Sequence, residues 1–267
     1  TPSIRRILHG LIPTLHSLGS GSKGPCFALA ENGSILLLDA GFSVREIGRR
    51  AARATVDLTR VAAIAVTHEH GDHAIGAAAL GRQLRVPIVA SPGTWAALRG
   101  VEDVTHVALR AGEPAEVSGF RISAAASNHD AAEPMALAIW GPSGHRVGLA
   151  HDLGRPTAAV RYLLRDLSVL VIEANHDEIL LRTSEYPAAV RQRIAGGGGH
   201  LSNRAAAELI EELLHPHLEH IVLAHLSERC NTPDEARATV SAVLTRAGFR
   251  GALHVAGQNE VMRVEVR

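Results

Sequence analysis

The sequence predicts an α+β fold in which two sheets pack together and helices lie outside, arranged as a single domain over residues 1–267. Three observations lead there. Strand-like and helix-like runs alternate through both halves of the 267-residue chain. No repeat, low-complexity tract or linker divides it. Several strand-like runs are apolar at every position, as strands covered on both faces must be. The length suffices to bury a core without disulfides or metal staples. Hydrophobic residues make up 46% but aromatics only 3%, so that core is built from Ala, Val, Leu and Ile.

Taken in order, "CFALAE" (Cys26 to Glu31) and "SILLLDAG" (Ser34 to Gly41) flank Asn32-Gly33, a dipeptide suited to a tight hairpin because both residues accept positive φ. A helix begins at Ser43, with Glu46 three residues on completing a capping box. "VAAIAVT" (Val61 to Thr67) is short, β-branched and wholly apolar until its end, which predicts a central strand. Strand patterns recur at "VPIVAS", "RISAAAS" (Arg121 to Ser127), "MALAIWG", "RVGLAHD" (Arg146 to Asp152), "SVLVIEA" (Ser168 to Ala174) and "EHIVLAH" (Glu219 to His225). Helical patterns fall at roughly 73–84, 92–98, 156–165, 202–214 and 233–247. The last has Thr232 as N-cap, Pro233 at the first helical position and Glu235 at the third. The glycine run 196–199 is the one stretch expected to be markedly flexible.

Charge is uninformative about partners: Lys plus Arg and Asp plus Glu number 27 each, so a nucleic-acid surface would have to be local. Arg45, Arg49 and Arg53 would form one basic stripe on the predicted helix. A nucleic-acid backbone could use it, but a solvated face supported by a Glu46 to Arg50 pair is the preferred reading. Cys26 and Cys230 lie far apart, without zinc-knuckle spacing or disulfide density, which suits a reducing cytoplasm. Arg5 and Arg6 precede no apolar signal region, and no apolar run approaches the ~18 residues of a membrane span. The expectation is a soluble cytoplasmic protein with no membrane partner; its oligomeric state stays open.

The chemistry concentrates in "THEHGDHAIG" (Thr67 to Gly76), where His68, His70, Asp72 and His73 form H-x-H-x-D-H directly after a strand. With 16 histidines in the chain, chance produces that pattern on the order of once in five hundred such sequences, so a solvated histidine loop is the weaker account. A loop leaving a strand can aim His68 and His70 at one ion while a curl at Gly71 turns Asp72 and His73 to a second. Neutral imidazoles and a carboxylate suit Zn²⁺ first, with Mn²⁺ or Fe as alternatives, and two such ions about 3.5–4 Å apart can polarise a substrate oxygen. Four residues cannot complete two coordination shells. His129, Asp152 and His225 each stand at the end of a strand-like run and could project from the same sheet edge.

The ordered set "SGSKGP", "LLLDAG", "THEHGDH", "SNHDAAEP", "AHDLG", "EANHD", "GGGGHLSNRAA" and "LAHLSERCNTP" resembles the YycJ/WalJ group of metal-dependent hydrolases over nearly the whole chain. That resemblance implies the metallo-β-lactamase fold, a four-layer αβ/βα sandwich, and two divalent metal ions. It implies His68, His70 and His129 on the first metal, Asp72, His73 and His225 on the second, and Asp152 bridging. It also implies that His200 faces the leaving group as an acid, oriented by Glu173, with Asp72 completing the catalytic set; a plain loop histidine is the alternative for His200. The presence of His73 and the lack of a cysteine ligand argue against antibiotic hydrolysis.

Helix starts at Ser202 and Asn203, together with Ser227 and the small-residue loop bearing Ser20 and Ser22, could offer amides to a substrate phosphate, capping and turn formation being the alternatives. His176 could pack behind the site or touch substrate. His9, His16, His106, His145, His151, His215, His217, His220 and His254 are read as surface or packing residues, and strand alternation should turn His151 away from Asp152. The resemblance implies a nuclease, with 5′-to-3′ exonuclease action on double-stranded DNA as the activity carried over. The 72 residues between Asp152 and His225 leave little room for a large inserted RNA-nuclease domain. The alternatives are a phosphodiesterase for a cyclic or nucleotide substrate and a metal-binding regulatory protein without turnover. Lys23 and Pro25 stand where small polar residues are expected, and Cys230 where an amide side chain is, so substrate choice is the part these departures touch.

Overall fold

The structure is a computed structural model describing residues 12–266, so Arg5, Arg6 and His9 lie outside the described residues. Its strands are β1 (Thr14–Gly19), β2 (Cys26–Glu31), β3 (Ser34–Leu38), β4 (Val61–Ala65), β5 (Ile88–Ala90), β6 (His106–Ala108), β7 (Ala115–Val117), β8 (Phe120–Ala126), β9 (Met135–Trp140), β10 (Arg146–Ala150), β11 (Val169–Glu173), β12 (His220–Ala224), β13 (Ala252–Val255) and β14 (Met262–Glu265). The α-helices are α1 (Val44–Arg53), α2 (Gly71–Ala74), α3 (Ala77–Leu84), α4 (Pro92–Ala97), α5 (Ala158–Leu163), α6 (Glu178–Thr183), α7 (Ala188–Ala195), α8 (Asn203–Leu213) and α9 (Pro233–Arg246).

Two seven-stranded sheets result, ordered β14-β1-β2-β3-β4-β5-β6 and β13-β12-β11-β10-β9-β8-β7. Each is mixed. β3 to β6 run parallel in the first sheet, and β10 to β13 run parallel in the second. β8 and β10 both pair antiparallel with β9, so they point the same way.

The side-chain period of two sorts the apolar residues into layers. In β3, Leu36 and Leu38 enter the core between the sheets, while Ile35 and Leu37 face the helical layer that contains Ile47 and Leu80. In β11, Val169 and Val171 join the same inter-sheet core, and Leu170 and Ile172 face Leu209 and Ile210 of α8. Three stacked apolar layers of this kind make a helix, sheet, sheet, helix sandwich.

Local signals predicted most elements. Asn32 and Gly33 take φ of 46° and 88° in the β2–β3 hairpin. Ser43 caps α1 by accepting from the Glu46 amide, and Thr232 caps α9 the same way from Glu235. Elsewhere the structure refines or departs from the sequence reading. The helix expected over 73–84 divides into α2 and α3, because Gly76 packs against the Phe42 carbonyl, where a Cβ would lie only 2.2 Å from it. The Glu46–Arg50 pair forms and Arg45, Arg49 and Arg53 are exposed, as expected, while Arg50 itself is buried and also donates to the carbonyls of Leu18 and Gln258. The glycine run is an ordered turn: Gly199 N and His200 N donate to Gly196 O and Ile194 O, and Gly197 O accepts from Arg155 N. Helices α6 and α7 carry no strong periodic signal and were not anticipated.

Candidate metal centre and acid site

Parallel strands in both sheets deliver their C-terminal ends to one edge, as ligand-bearing α/β sheets do. Asp39 follows β3, the His68–His73 loop follows β4, His129 follows β8, Asp152 follows β10, Glu173 ends β11, and His225 follows β12. Two bonds sew the sheets together there: Met135 N donates to Thr67 O at 3.0 Å, and His225 N donates to Ser20 Oγ at 2.9 Å. Asp39, Asp152 and His225 adopt left-handed φ of 57°, 50° and 55°. That conformation costs roughly 1–2 kcal/mol for a residue with a Cβ, less for Asp, and it turns each side chain off its strand and into the cleft.

The sequence-predicted ligands converge. His68, His70 and His129 bring one nitrogen each within 4.8 Å of one another, as do ligand atoms of Asp72, His73 and His225, and of His68, His73 and Asp152. Asp152 divides its oxygens between the groups: Oδ2 lies 2.8 Å from His73 Nε2 and 3.8 Å from His68 Nε2, while Oδ1 lies 3.9 Å from His129 Nε2 and 3.6 Å from His225 Nδ1.

Four of the histidines have Nδ1 held from outside. His68 Nδ1 lies 3.1 Å from Thr67 Oγ1, His73 Nδ1 2.8 Å from Asp39, His225 Nδ1 3.1 Å from Glu173, and His129 Nδ1 3.3 Å from Gly199 O. With the Nδ1 proton engaged, each Nε2 lone pair faces the cluster. His70 is the exception, with its Nδ1 3.3 Å from His129 Nε2.

This arrangement fits divalent metal. Nε2 of His68, His73 and His225 and Oδ2 of Asp152 are buried with no hydrogen-bond partner. The 2.8 Å between His73 Nε2 and Asp152 Oδ2 lacks hydrogen-bond geometry despite its length. Such groups are costly to bury unless a cation takes them, and the imidazole and carboxylate donors are those that Zn²⁺, Mn²⁺ or Fe accept. Burial, aided by His73, holds His68 well below its ordinary pKa, and burial lowers His129 too, so both stay neutral as ligands must. Burial opposes charge on His73, but Asp152 and Asp39 raise it to about 10; a dication there would replace that proton.

Beside the cluster, His200 Nδ1 lies 2.7 Å from Glu173 Oε1 and 2.9 Å from Asp152 Oδ1. Burial resists its charge, yet Glu173 and Asp152 raise its pKa to about 9. Glu173 is fully buried and spends its second oxygen on the amides of Leu153 and Leu201, at 3.1 Å each. One carboxylate therefore orients His200, His225 and two loops.

The expected substrate contacts are placed differently. Ser20 is buried under His225. Ser202 Oγ caps α8 and donates to Glu178, and the Asn203 side chain bonds Asn231 in the interior. Ser227 Oγ accepts from the amides of Arg229 and Cys230, and the Asn203 amide expected to be free donates to His176 O. These residues build the wall of the site because capping and turn bonds claim their polar groups. Ser22 alone of the set is exposed. His176 is buried beside Asn203.

His151 corrects another expectation. Alternation fails once β10 ends at Ala150, and His151 packs into the cluster with its ring 5.7 Å from that of His225 and 6.1 Å from that of His73. Sequence reasoning missed Asp39, Thr67 and Asn175, whose side-chain amide donates to His225 O. Asp39 carried the same signal as Asp152, an acid closing an apolar strand.

A β-lactamase superfamily domain model matches residues 35–226. The chain is 31% identical to exodeoxyribonuclease YycJ of Bacillus anthracis over 236 residues, covering 87% of this chain and 89% of that one. It is 30% identical to exodeoxyribonuclease WalJ of Streptococcus pneumoniae serotype 2, strain D39 / NCTC 7466, over 236 residues, covering 86% and 87%. The metallo-β-lactamase fold protein YhfI from Bacillus subtilis superposes with a TM-score of 0.69 at 16% identity, covering 95% of this chain and 100% of that one.

Proposed function

Since the chain belongs to the β-lactamase superfamily, and within it to the YycJ/WalJ group of metallo-β-lactamase-fold hydrolases, we propose that it is a dinuclear-metal phosphodiester hydrolase, specifically a nuclease with 5′-to-3′ exonuclease action on DNA. The observation that carries the reaction class is His200, seated on Glu173 at the side of the cluster with its raised pKa. A phosphodiester needs a proton donor for its alkoxide leaving group, and a protonated imidazole fixed by a buried carboxylate is one.

His68, His70 and His129 would hold one ion and Asp72, His73 and His225 the other, with Asp152 shared. Bound there, two Zn²⁺, Mn²⁺ or Fe ions would polarise the phosphoryl oxygens and make water nucleophilic at neutral pH. The chain's own part is to exclude bulk water with the buried floor of His68, His73 and Asp152, to fix the ligand tautomers through Asp39, Thr67 and Glu173, and to deliver a proton from His200. DNA as the substrate rests on the two exodeoxyribonuclease relatives.

End-labelled single- and double-stranded DNA and RNA, together with bis-p-nitrophenyl phosphate, incubated under each metal, test this reading. Stepwise loss from the 5′ end of DNA supports it. Hydrolysis of the small diester alone, with no nucleic acid cleaved, would instead favour a small-molecule phosphodiesterase, a reading suited to the equal cation and anion counts of 27.

A further inference from the structure

The loop after β1 carries the one lysine of the chain, Lys23, where a small polar residue is expected. β1 is antiparallel to β2 and β2 to β3, so β1 runs with β3 and its loop leaves from the ligand edge. Both ends of the loop are anchored beside the proposed second metal position. At its start Ser20 Oγ accepts from His225 N at 2.9 Å. At its far end Gly24 lies so near the ligand loop that a Cβ there would sit 3.1 Å from the Asp72 carbonyl oxygen.

Between those anchors the backbone is fixed. Ser20 N donates to Gly257 O at 3.0 Å and Gly24 N to Gly21 O at 3.1 Å. Lys23 N donates to Gln258 Oε1 at 2.8 Å, and Gln258 Nε2 donates back to Gly24 O at 3.2 Å. Buried Arg50 holds the base of the loop through the carbonyls of Leu18 and Gln258. The Lys23 side chain, in contrast, is 70% exposed on a flexible four-carbon stem.

Its ammonium meets Glu228 Oε2 at 2.7 Å, and Glu228, three residues past His225, is itself 39% exposed. So open an ion pair contributes little to stability, and its partners exchange at little cost. Glu228 is also the carboxylate that an anionic substrate would meet on this wall. While it pairs with Lys23 its charge is offset, and once released its exposure lets water take the lysine's place.

Resting on the nuclease reading above, we propose that Lys23 is a substrate ligand: its ammonium holds a DNA phosphate adjacent to the one at the metals, and Glu228 is the internal anion that this phosphate displaces. Lysine binds phosphate as a point charge and imposes no single geometry. That tolerance suits a phosphate whose place is refilled each time the strand advances by one nucleotide.

Anisotropy titrations of the metal-loaded chain with a fluorescent, phosphorothioate-linked DNA duplex, which keeps its charges and resists hydrolysis, measure this contact across a salt series. Lys23→Met should weaken binding about tenfold at low salt and reduce the log–log salt slope by about 0.9, the share of one phosphate contact. Glu228→Gln should tighten binding about two- to fivefold by removing the competing carboxylate. That gain should vanish in the Lys23→Met background. An unchanged slope in Lys23→Met overturns the proposal, and a Glu228→Gln gain that persists without the lysine overturns the exchange.

Bis-p-nitrophenyl phosphate carries a single phosphate, so Lys23→Met should leave its hydrolysis unchanged. A parallel fall in that rate and in metal content would show a damaged metal position and overturn the assignment. The two readings fail separately. A lysine-dependent salt slope without cleavage of any diester sinks the hydrolase reading and keeps Lys23, whereas DNA cleavage with an unaltered slope sinks Lys23 alone.

Discussion

Asp39 holds two of the proposed ligands at once. Its carboxylate accepts from His73 Nδ1 at 2.8 Å and from the Thr67 hydroxyl at 3.0 Å, and that hydroxyl in turn accepts from His68 Nδ1. One fully buried acid thus sets a proposed ligand of each proposed metal position. Asp39→Asn keeps the shape and removes the charge, so divalent-metal affinity should fall about 10–100-fold in competition with a chromogenic chelator. Unchanged affinity would show that His73 needs no carboxylate behind it. His200 acts on the leaving group in our reading, which makes a different demand. His200→Ala should slow DNA cleavage about 10²–10⁴-fold and hydrolysis of bis-p-nitrophenyl phosphate far less, because p-nitrophenolate leaves without a proton. Loss of both rates together would make His200 a ligand instead. In the acid reading His200 works only while protonated, and Glu173 and Asp152 raise its pKa and favour that form, so activity should be lost on the alkaline side of the rate profile. Glu173→Gln removes the main group raising that pKa, and the alkaline limb of the rate profile should move to lower pH.

Among the elements, the loop between β4 and α2 depends on a close backbone approach. A Cβ on Gly41 would lie 1.6 Å from the Asp72 carbonyl, so no side chain fits there without displacing the ligand loop. Gly41→Ala should therefore lower metal content, measured by atomic emission, more than it lowers the urea midpoint. The helices obey local rules. Thr232→Ala deletes the 3.1 Å cap on Glu235 N and should cost α9 about 1 kcal/mol in a denaturant titration, with no effect on metal binding. Caps, the Asn32-Gly33 turn and the apolar strands β3, β4, β11 and β12 were readable because each is encoded within a few residues. β1, β6, β7, β13 and β14 were not. β6 and β7 are three residues each, and β13 is half-buried throughout. β1 buries His16 and Ser17 alongside its leucines, which hides any alternation. Their neighbours in the sheet, rather than their own pattern, make them strands.

Across the whole molecule, the sandwich also buries titratable groups outside the histidine cluster, and His16 is one that makes stability depend on pH. Burial, with help from Arg263, lowers His16 to about 4 from an ordinary 6.5. The unfolded chain then binds a proton that the folded chain refuses. Stability contributed by the neutral ring is complete above about 6.5 and is lost as pH falls toward about 4. Urea midpoints at pH 7 and pH 5 should differ, and His16→Gln should shrink the gap; an unchanged gap would assign it to other groups. Among the described residues no helix is long and apolar enough to cross a membrane.

From its residues alone the chain determined its helix caps, its hairpin, its buried strands and the H-x-H-x-D-H loop, since spacing, turn chemistry and strand burial are local properties. Only the tertiary structure decided that Asp39 stands behind His68 and His73, that His151 turns inward, that Ser20, Ser202, Asn203 and Ser227 hydrogen-bond within the chain, and that His176 is buried. Those outcomes depend on which strand ends meet and on three left-handed residues that redirect side chains, and a contact between residues dozens of positions apart has no signature in either stretch read separately.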